Sequence, residues 1–373
     1  VIIIVTKSGE AGKTLVNYNL GFTLSKTTKK YDLLQAKDFE YYSRLGILAT
    51  SRNYPPYVNL LTGNTYPGGI GNDLTNQTIF SEQYLTPDNK YKLDQGWQSI
   101  PDPLDPTKTI IFSNTDFQDI LYRTALSQNH SLSVSGGSEK ATFRLGLGYQ
   151  NDQGIAIHSG YNRYNVDFSG DLKLTKSFKV FTRVSFANTS DKQIDVGGIF
   201  TAAMIGPPTA KRYFEDGTLA PGASISYANP EYSLSTRFPN NNATNLTIIG
   251  GAQWKILPGL TFNPQISFYQ RSVYSRNFTK SFLNGPINLN TSRTATGSYT
   301  QEFDPQGSAV LTYIKSIKNV HNIEVDGGFS YFGTDNSALS ATGNNAATDL
   351  IPTLNASGNP VSVSGSESHQ IIM

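Results

Sequence analysis

The stretch Lys7-Ser8-Gly9-Glu10-Ala11-Gly12-Lys13-Thr14, preceded by the apolar run Val1 to Val5, holds the ingredients of a phosphate-binding loop. Such a loop needs a strand, a glycine five residues before the second glycine, and a following helix whose N-terminal amides face the phosphate. Lys7 stands where the first glycine belongs, and from Thr14 onward the residues alternate as in a strand. The segment therefore reads as strand, polar turn and strand. The four histidines, His130, His158, His321 and His369, are widely separated and none has a partner at metal-ligand spacing, so no zinc site is expected. Asp116 and Asp119 are of the right type for a general acid and base, but three residues apart at the start of a helical pattern they more simply complement the helix dipole. With no cysteine there is no disulfide framework, thiolate site or cysteine nucleophile. No catalytic constellation remains, so the chain is read as no enzyme, with no cofactor and no metal.

The elements that position these residues are strands. From Ala141, apolar Ala141, Phe143, Leu145, Leu147 and Tyr149 alternate with Thr142, Arg144, Gly146, Gly148 and Gln150. Tyr164, Val166, Phe168, Leu172 and Leu174 repeat the pattern over about eleven residues, the length that crosses a bilayer at a tilt. After a short connection at Thr175 to Ser177, the face resumes in Phe178, Val180, Val184 and Phe186. A second hairpin turns at Leu257-Pro258-Gly259, from Leu246, Ile248, Trp254 and Ile256 into Leu260, Phe262, Ile266 and Phe268. A third joins Ala309, Leu311 and Tyr313 to Ile323, Val325, Phe329 and Tyr331. Val16 to Leu24 and Leu132 to Val134 add two more strands, for about nine in all.

Short turns near Gly137, Lys176, Pro258 and Ser316 alternate with long polar connections over 26–129, 191–243, 273–300 and 333–373. Outer-membrane barrels place short turns in the periplasm and long loops outside. The fold expected is therefore all-β: an antiparallel transmembrane β-barrel of outer-membrane type, present in part. Capping-box spacing at Thr115-Asp116-Phe117-Gln118, with Phe117, Ile120, Leu121 and Thr124 at helical intervals, predicts a short helix in the first loop. A second helix is expected over Leu34 to Leu45. Leu145, Leu147, Phe168, Leu172, Val184, Phe186 and Ile256 are expected to face lipid, and Arg144, Asp167, Lys173 and Gln253 the lumen. A soluble or surface-anchored all-β binding protein, whose strands also bury one face, and a passive porin stay open as alternatives.

Composition agrees. Gly (33), Tyr (21) and Phe (20) are plentiful, and charged residues make up 16% of the chain, against roughly 25% in average globular proteins. A formal charge of +2, with scattered Lys and Arg, gives no footprint for nucleic acid. Val1 opens inside an apparent strand and Met373 ends a polar segment with no closing strand, so a fragment of a longer protein is expected.

Particular segments resemble a known family. VIIIVTKSGEAGKTLVNYN resembles the last plug strand and first barrel strand of SusC/RagA-type TonB-dependent transporters, and LLQAKDFEYY the segment that follows. The run TDFQDILYRTALSQNHSLSVSGGSEKATFRLGLGYQNDQGI is similar to that family's early-barrel signature, and IGPPTAKRYFEDGTL to its Pro-rich loop. The resemblance implies that residues 1–13 end a plug domain and 14–373 begin the barrel. It implies a multi-pass protein of the outer membrane of a Bacteroidetes-like Gram-negative cell, in contact with outer-membrane lipid. It also implies import of glycan fragments or peptides with a SusD-like surface lipoprotein and TonB. The loop aromatics Trp97, Tyr213 and Phe214 are the candidate substrate contacts, with plain loop packing as the simpler expectation.

Overall fold

The computed structural model describes residues 9–71, 78–192, 194–223, 229–318, 320–358 and 362–372. The apolar run Val1 to Val5, with Lys7 and Ser8, lies outside them, whereas Gly12-Lys13-Thr14 opens a strand and not a helix.

Ten long strands form one antiparallel sheet in strict chain order. They are β1 (Gly12–Ser25), β2 (Ala125–Gly137), β3 (Ala141–Gln153), β4 (Gly160–Lys173) and β5 (Phe178–Lys192). The wall continues in β6 (Arg237–Leu257), β7 (Leu260–Thr279), β8 (Thr294–Ile317), β9 (His321–Gly343) and β10 (Ser362–Ile372). β1 and β10 are its two edges. Because each strand pairs with its neighbours in sequence, the connections 138–140, 174–177, 258–259 and 318–320 all fall at one end of the sheet, and the five longer ones at the other. At the Pro258-Gly259 turn, Gly259 has φ +84°, which L side chains rarely adopt, and a Cβ there would lie 2.3 Å from the Ile314 carbonyl oxygen.

Registers carry the alternation across the wall. Val16, Val134, Leu145, Phe168, Val184, Ile248 and Phe268 lie side by side in one row, and Tyr18, Leu132, Leu147, Val166, Phe186 and Leu246 in another. Leu172 pairs with Ala141 and Val180 on the same face, and Ile256 shares the parity of Ile248 and Trp254 along β6. Most of these apolar side chains are exposed, because none of the described residues covers that face. The opposite face carries Arg144, Asp167, Lys173 and Gln253; Ser185 Oγ donates to Asp167 at 2.7 Å.

Aromatic rings mark both limits of the apolar band: Phe178 against Trp254 (6.3 Å between centroids) near the short turns, and Tyr18, His130, Tyr149 and Tyr164 in a continuous chain of contacts at the other limit. From Tyr164 to Leu174 is about ten steps of roughly 3.3 Å, or about 25 Å along the membrane normal at a tilt near 40°, which matches the apolar belt of such barrels. No helix among the described residues is long and apolar enough to cross a membrane, which says nothing about crossing by strands.

The strands reach further than expected from the sequence. β7 runs to Thr279 and β8 starts at Thr294, so only 280–293 connect them, where 273–300 was expected. β6 starts at Arg237, inside the expected 191–243 loop, and β2 at Ala125, inside 26–129. β9 runs to Gly343, and β10 is a tenth strand within the expected terminal loop 333–373. The cause is visible on β7: its outward positions are Leu260, Phe262, Ile266 and Phe268, then Gln270 and Ser272. Beyond the hydrocarbon both faces meet water, so pairing continues without hydrophobic alternation.

Candidate functional site

The long connections at the far end fold. In the first, helix α1 (Ala36–Ser51) packs against a three-stranded sheet of Gln83–Tyr84, Gln98–Asp102 and Asp105–Phe112, burying Ala36, Ile70, Ile100, Ile110 and Phe112. A one-turn helix α2 (Tyr91–Asp94) and a short α3 (Phe117–Leu121) complete it. α1 covers most of the expected Leu34 to Leu45 helix and extends beyond it. α3 lies at the expected place, but Asp116 is its cap, accepting from the Gln118 and Asp119 amides, while Thr115 Oγ1 donates to the Ala210 carbonyl at 2.7 Å.

The connection between β5 and β6 carries α4 (Val196–Ile205), whose first turn is closed by Asp195 accepting from the Gly198 amide, and α5 (Pro230–Ser235). Ile199 and Ala203, one turn apart on α4, are buried with Ile79, Phe80, Phe117, Leu121 and Phe214. Backbone bonds tie the two connections together: the Ser81 amide to Thr209 O (2.9 Å), Lys211 N to Ile79 O (2.8 Å) and Thr115 N to Pro208 O (2.7 Å). The loops thus form one module at the rim of the wall.

Inside the module is a buried polar cluster. The Arg44 guanidinium donates to both Asp102 oxygens at 2.9 and 2.8 Å and to the carbonyls of Leu61 and Gly68. Tyr84 also donates to Asp102, at 2.7 Å. Burial acts to raise the Asp102 carboxyl, but the hydrogen bonds from Arg44, the Leu104 amide and Tyr84 outweigh it and hold it below the usual range. One turn before Arg44, Glu40 is fully buried, and among the described residues neither of its oxygens has a hydrogen-bond partner. Glu82, equally buried, accepts from the Gly68 amide with Oε1 alone. Burial, reinforced by the Glu82 charge, pushes Glu40 up to about 9. Burial likewise raises Glu82 to about 7, against the pull of Thr209 and Lys211.

Carboxyls raised in the folded state favour it fully below their ordinary value of 4.5, and that contribution fades as pH rises through the folded values. The module is therefore expected to lose protection between pH 5 and 9. Hydrogen exchange of residues 36–51, measured against pH, checks this, and Glu40→Gln should flatten the profile and slow exchange at pH 9.

Beside this cluster a cavity of about 640 Å³ opens between α4, α5 and the far ends of β6 and β7. That volume falls in the range of small-ligand sites. Its apolar walls include Phe117, Ile199, Ile205 and Leu234, and its polar groups include Arg237, Asn229, Asn277 and Lys211. Lys211 is held by Glu215 (3.0 Å) and Thr78 (2.7 Å). No group of three or more potential metal ligands occurs among the described residues.

The three candidate aromatics, for which loop packing was the simpler expectation, do not line this cavity. Trp97 sits under the Lys92 ammonium (4.2 Å), Tyr213 under the Arg212 guanidinium (4.9 Å), and Phe214 in the apolar core between the two connections. The sequence reading overlooked α4 and Arg237. A signal existed for α4 in Asp195, an N-cap residue three positions before the Gly198 amide it accepts from. None existed for Arg237, an ordinary strand-end cation.

No family model matches the chain. The TonB-dependent receptor SusC of Bacteroides thetaiotaomicron is 26% identical over 65% of this chain. The TonB-dependent receptor P3 of Formosa agariphila is 23% identical over 97% of it. Of solved structures, the RagAB peptide transporter superposes on 98% of the chain with a TM-score of 0.74 at 14% identity. The chain resembles a segment of SusC/RagA-type TonB-dependent receptors. It spans 19% of the SusC relative, 31% of the P3 relative and 40% of the RagAB transporter chain. These TonB-dependent relatives are receptors and transporters rather than enzymes. The shared fold is the antiparallel wall, with the loop module at its rim.

Proposed function

We propose that this chain forms part of the wall and outer rim of a TonB-dependent importer in the outer membrane of a Gram-negative cell. On this reading it takes up glycan fragments or peptides together with a SusD-like surface lipoprotein. One observation carries the reading: a wall with one face apolar over a bilayer's thickness, the other polar, and a folded loop module at one end only. In hydrocarbon no water satisfies backbone groups at a sheet edge. β1 and β10 are such edges, so the wall needs further strands; about 22 would enclose a lumen wide enough for a plug. The greater length of the relatives supports this; the plug would end before β1, which holds Gly12 and Lys13 of the expected 1–13 segment, and the barrel would start with β1.

The test is deletion of the gene in its native host, followed by uptake of labelled oligosaccharide and peptide pools. Uptake of one pool should disappear, and should disappear equally when TonB is removed. Uptake that survives the loss of TonB would make the protein a passive pore, and unchanged uptake of both pools with lost surface binding would make it an adhesin.

A further inference from the structure

The cavity at the strand ends is lined by a cation, Arg237, with no ion-pair partner among the described residues. Arg237, the first residue of β6, makes no ion pair or side-chain hydrogen bond among the described residues, and the undescribed segment 224–228 of the same connection (Ser-Ile-Ser-Tyr-Ala) carries no acid. The other charged groups of the lining are already engaged. Lys211 is paired with Glu215, and Asp195 caps α4. Nearby, Arg212 is paired with Glu231 at 2.7 Å.

Its orientation follows from register. Arg237 is opposite Thr279, and Pro239 opposite Asn277. Along β7, Thr279 and Asn277 continue the series Arg271, Tyr269, Ser267 and Gln265, which alternates with the lipid-facing Ile266 and Phe268. Arg237 therefore belongs to the polar, inner face at the rim, where material from outside first meets the wall.

A guanidinium offers a planar fork of donors matched to a carboxylate. Beside the charged groups, the lining consists of apolar side chains, the amides of Asn229 and Asn277 and the hydroxyls of Thr201, Ser233 and Thr279. We propose that this cavity is a ligand subsite for a carboxylate carried next to an apolar group, with Arg237 binding the carboxylate and Phe117, Ile199 and Leu234 receiving the apolar part. The free C-terminus of a short apolar peptide has this chemistry; so, with a less apolar body, does a uronic-acid oligosaccharide. The assignment rests on the importer reading.

The experiment uses the full-length receptor purified in detergent and three probes: acetyl-Leu-Phe-Leu as the free acid, its C-terminal amide, and a trigalacturonate. Wild type should bind the free acid about 10- to 100-fold more tightly than the amide, the range of a charge-assisted hydrogen bond. Arg237→Gln should erase that difference, and Arg237→Lys should retain part of it. Trigalacturonate bound in an Arg237-dependent way, with the peptide acid ignored, would identify a sugar acid as the carboxylate source and uphold the subsite. Equal binding of acid and amide with no trigalacturonate binding, or binding of either acid unchanged by Arg237→Gln, would overturn it. If the subsite fails while gene deletion still abolishes uptake, the importer reading stands; if binding follows Arg237 and uptake is unaffected by deletion, that reading falls and the site remains.

Discussion

Arg44→Met is expected to open the loop module while leaving the wall folded. Arg44 and Asp102 are both almost fully buried and joined by two short hydrogen bonds, with α1 on one side and the three-stranded sheet on the other. Taking away the guanidinium leaves the Asp102 carboxylate in the interior with only Tyr84 and the Leu104 amide. It also frees the carbonyls of Leu61 and Gly68. Breaking a buried pair in this way costs about 3–5 kcal/mol, a shift on the order of a hundred- to a few-thousand-fold in the opening equilibrium. Limited proteolysis of the folded receptor should then cut within 26–124 while the barrel keeps its heat-dependent gel migration. A double variant, Arg44→Met with Asp102→Leu, should regain much of the resistance, because an apolar pair leaves no charge behind. Unchanged proteolysis of the single variant would mean that the pair does not hold the module shut.

The second large effect belongs to the wall. Phe168 sits between Leu145 and Val184 in the middle row of the apolar face, about midway between the two aromatic limits. Phe168→Lys is expected to cost about 2–4 kcal/mol in a bilayer, the midplane penalty for a lysine on the lipid face. Depth matters as much as face. Leu172 shares that face but stands two residues before the 174–177 turn, so Leu172→Lys is expected to cost only about 0–1 kcal/mol. Alternation reveals which face a residue takes, and only its distance from the turn reveals how deep it lies. Gln253→Lys, on the opposite face beside Lys179, should be close to neutral. Urea unfolding of the receptor in lipid vesicles, comparing the three variants, provides the check.

What could be read in advance follows the same physics. Nine of the ten wall strands are legible because hydrocarbon on one side and water on the other impose a period of two. β10, Ser-Val-Ser-Gly-Ser-Glu-Ser-His-Gln-Ile-Ile, lacks the signal because Gly365, Glu367 and His369 interrupt its outward positions between Val363 and Ile371. The far halves of β7, β8 and β9 are silent for the same reason. α4 is apolar nearly throughout, so it has no contrasting face to betray a helix. The buried cluster joins Arg44 to Asp102 across 58 positions, a pairing that no local pattern encodes. The cavity is legible only once the two connections and the strand ends are brought together.

The chain has no native cysteine, so single cysteines can be placed at each position from Tyr164 to Leu172 and probed in cells expressing a full-length receptor made free of cysteine elsewhere. A membrane-dissolved maleimide should label positions 164, 166, 168, 170 and 172, and a water-soluble one should label 165, 167 and 171, position 169 being buried. Labelling of both sets alike by the water-soluble reagent would contradict a wall with hydrocarbon on one side and water on the other.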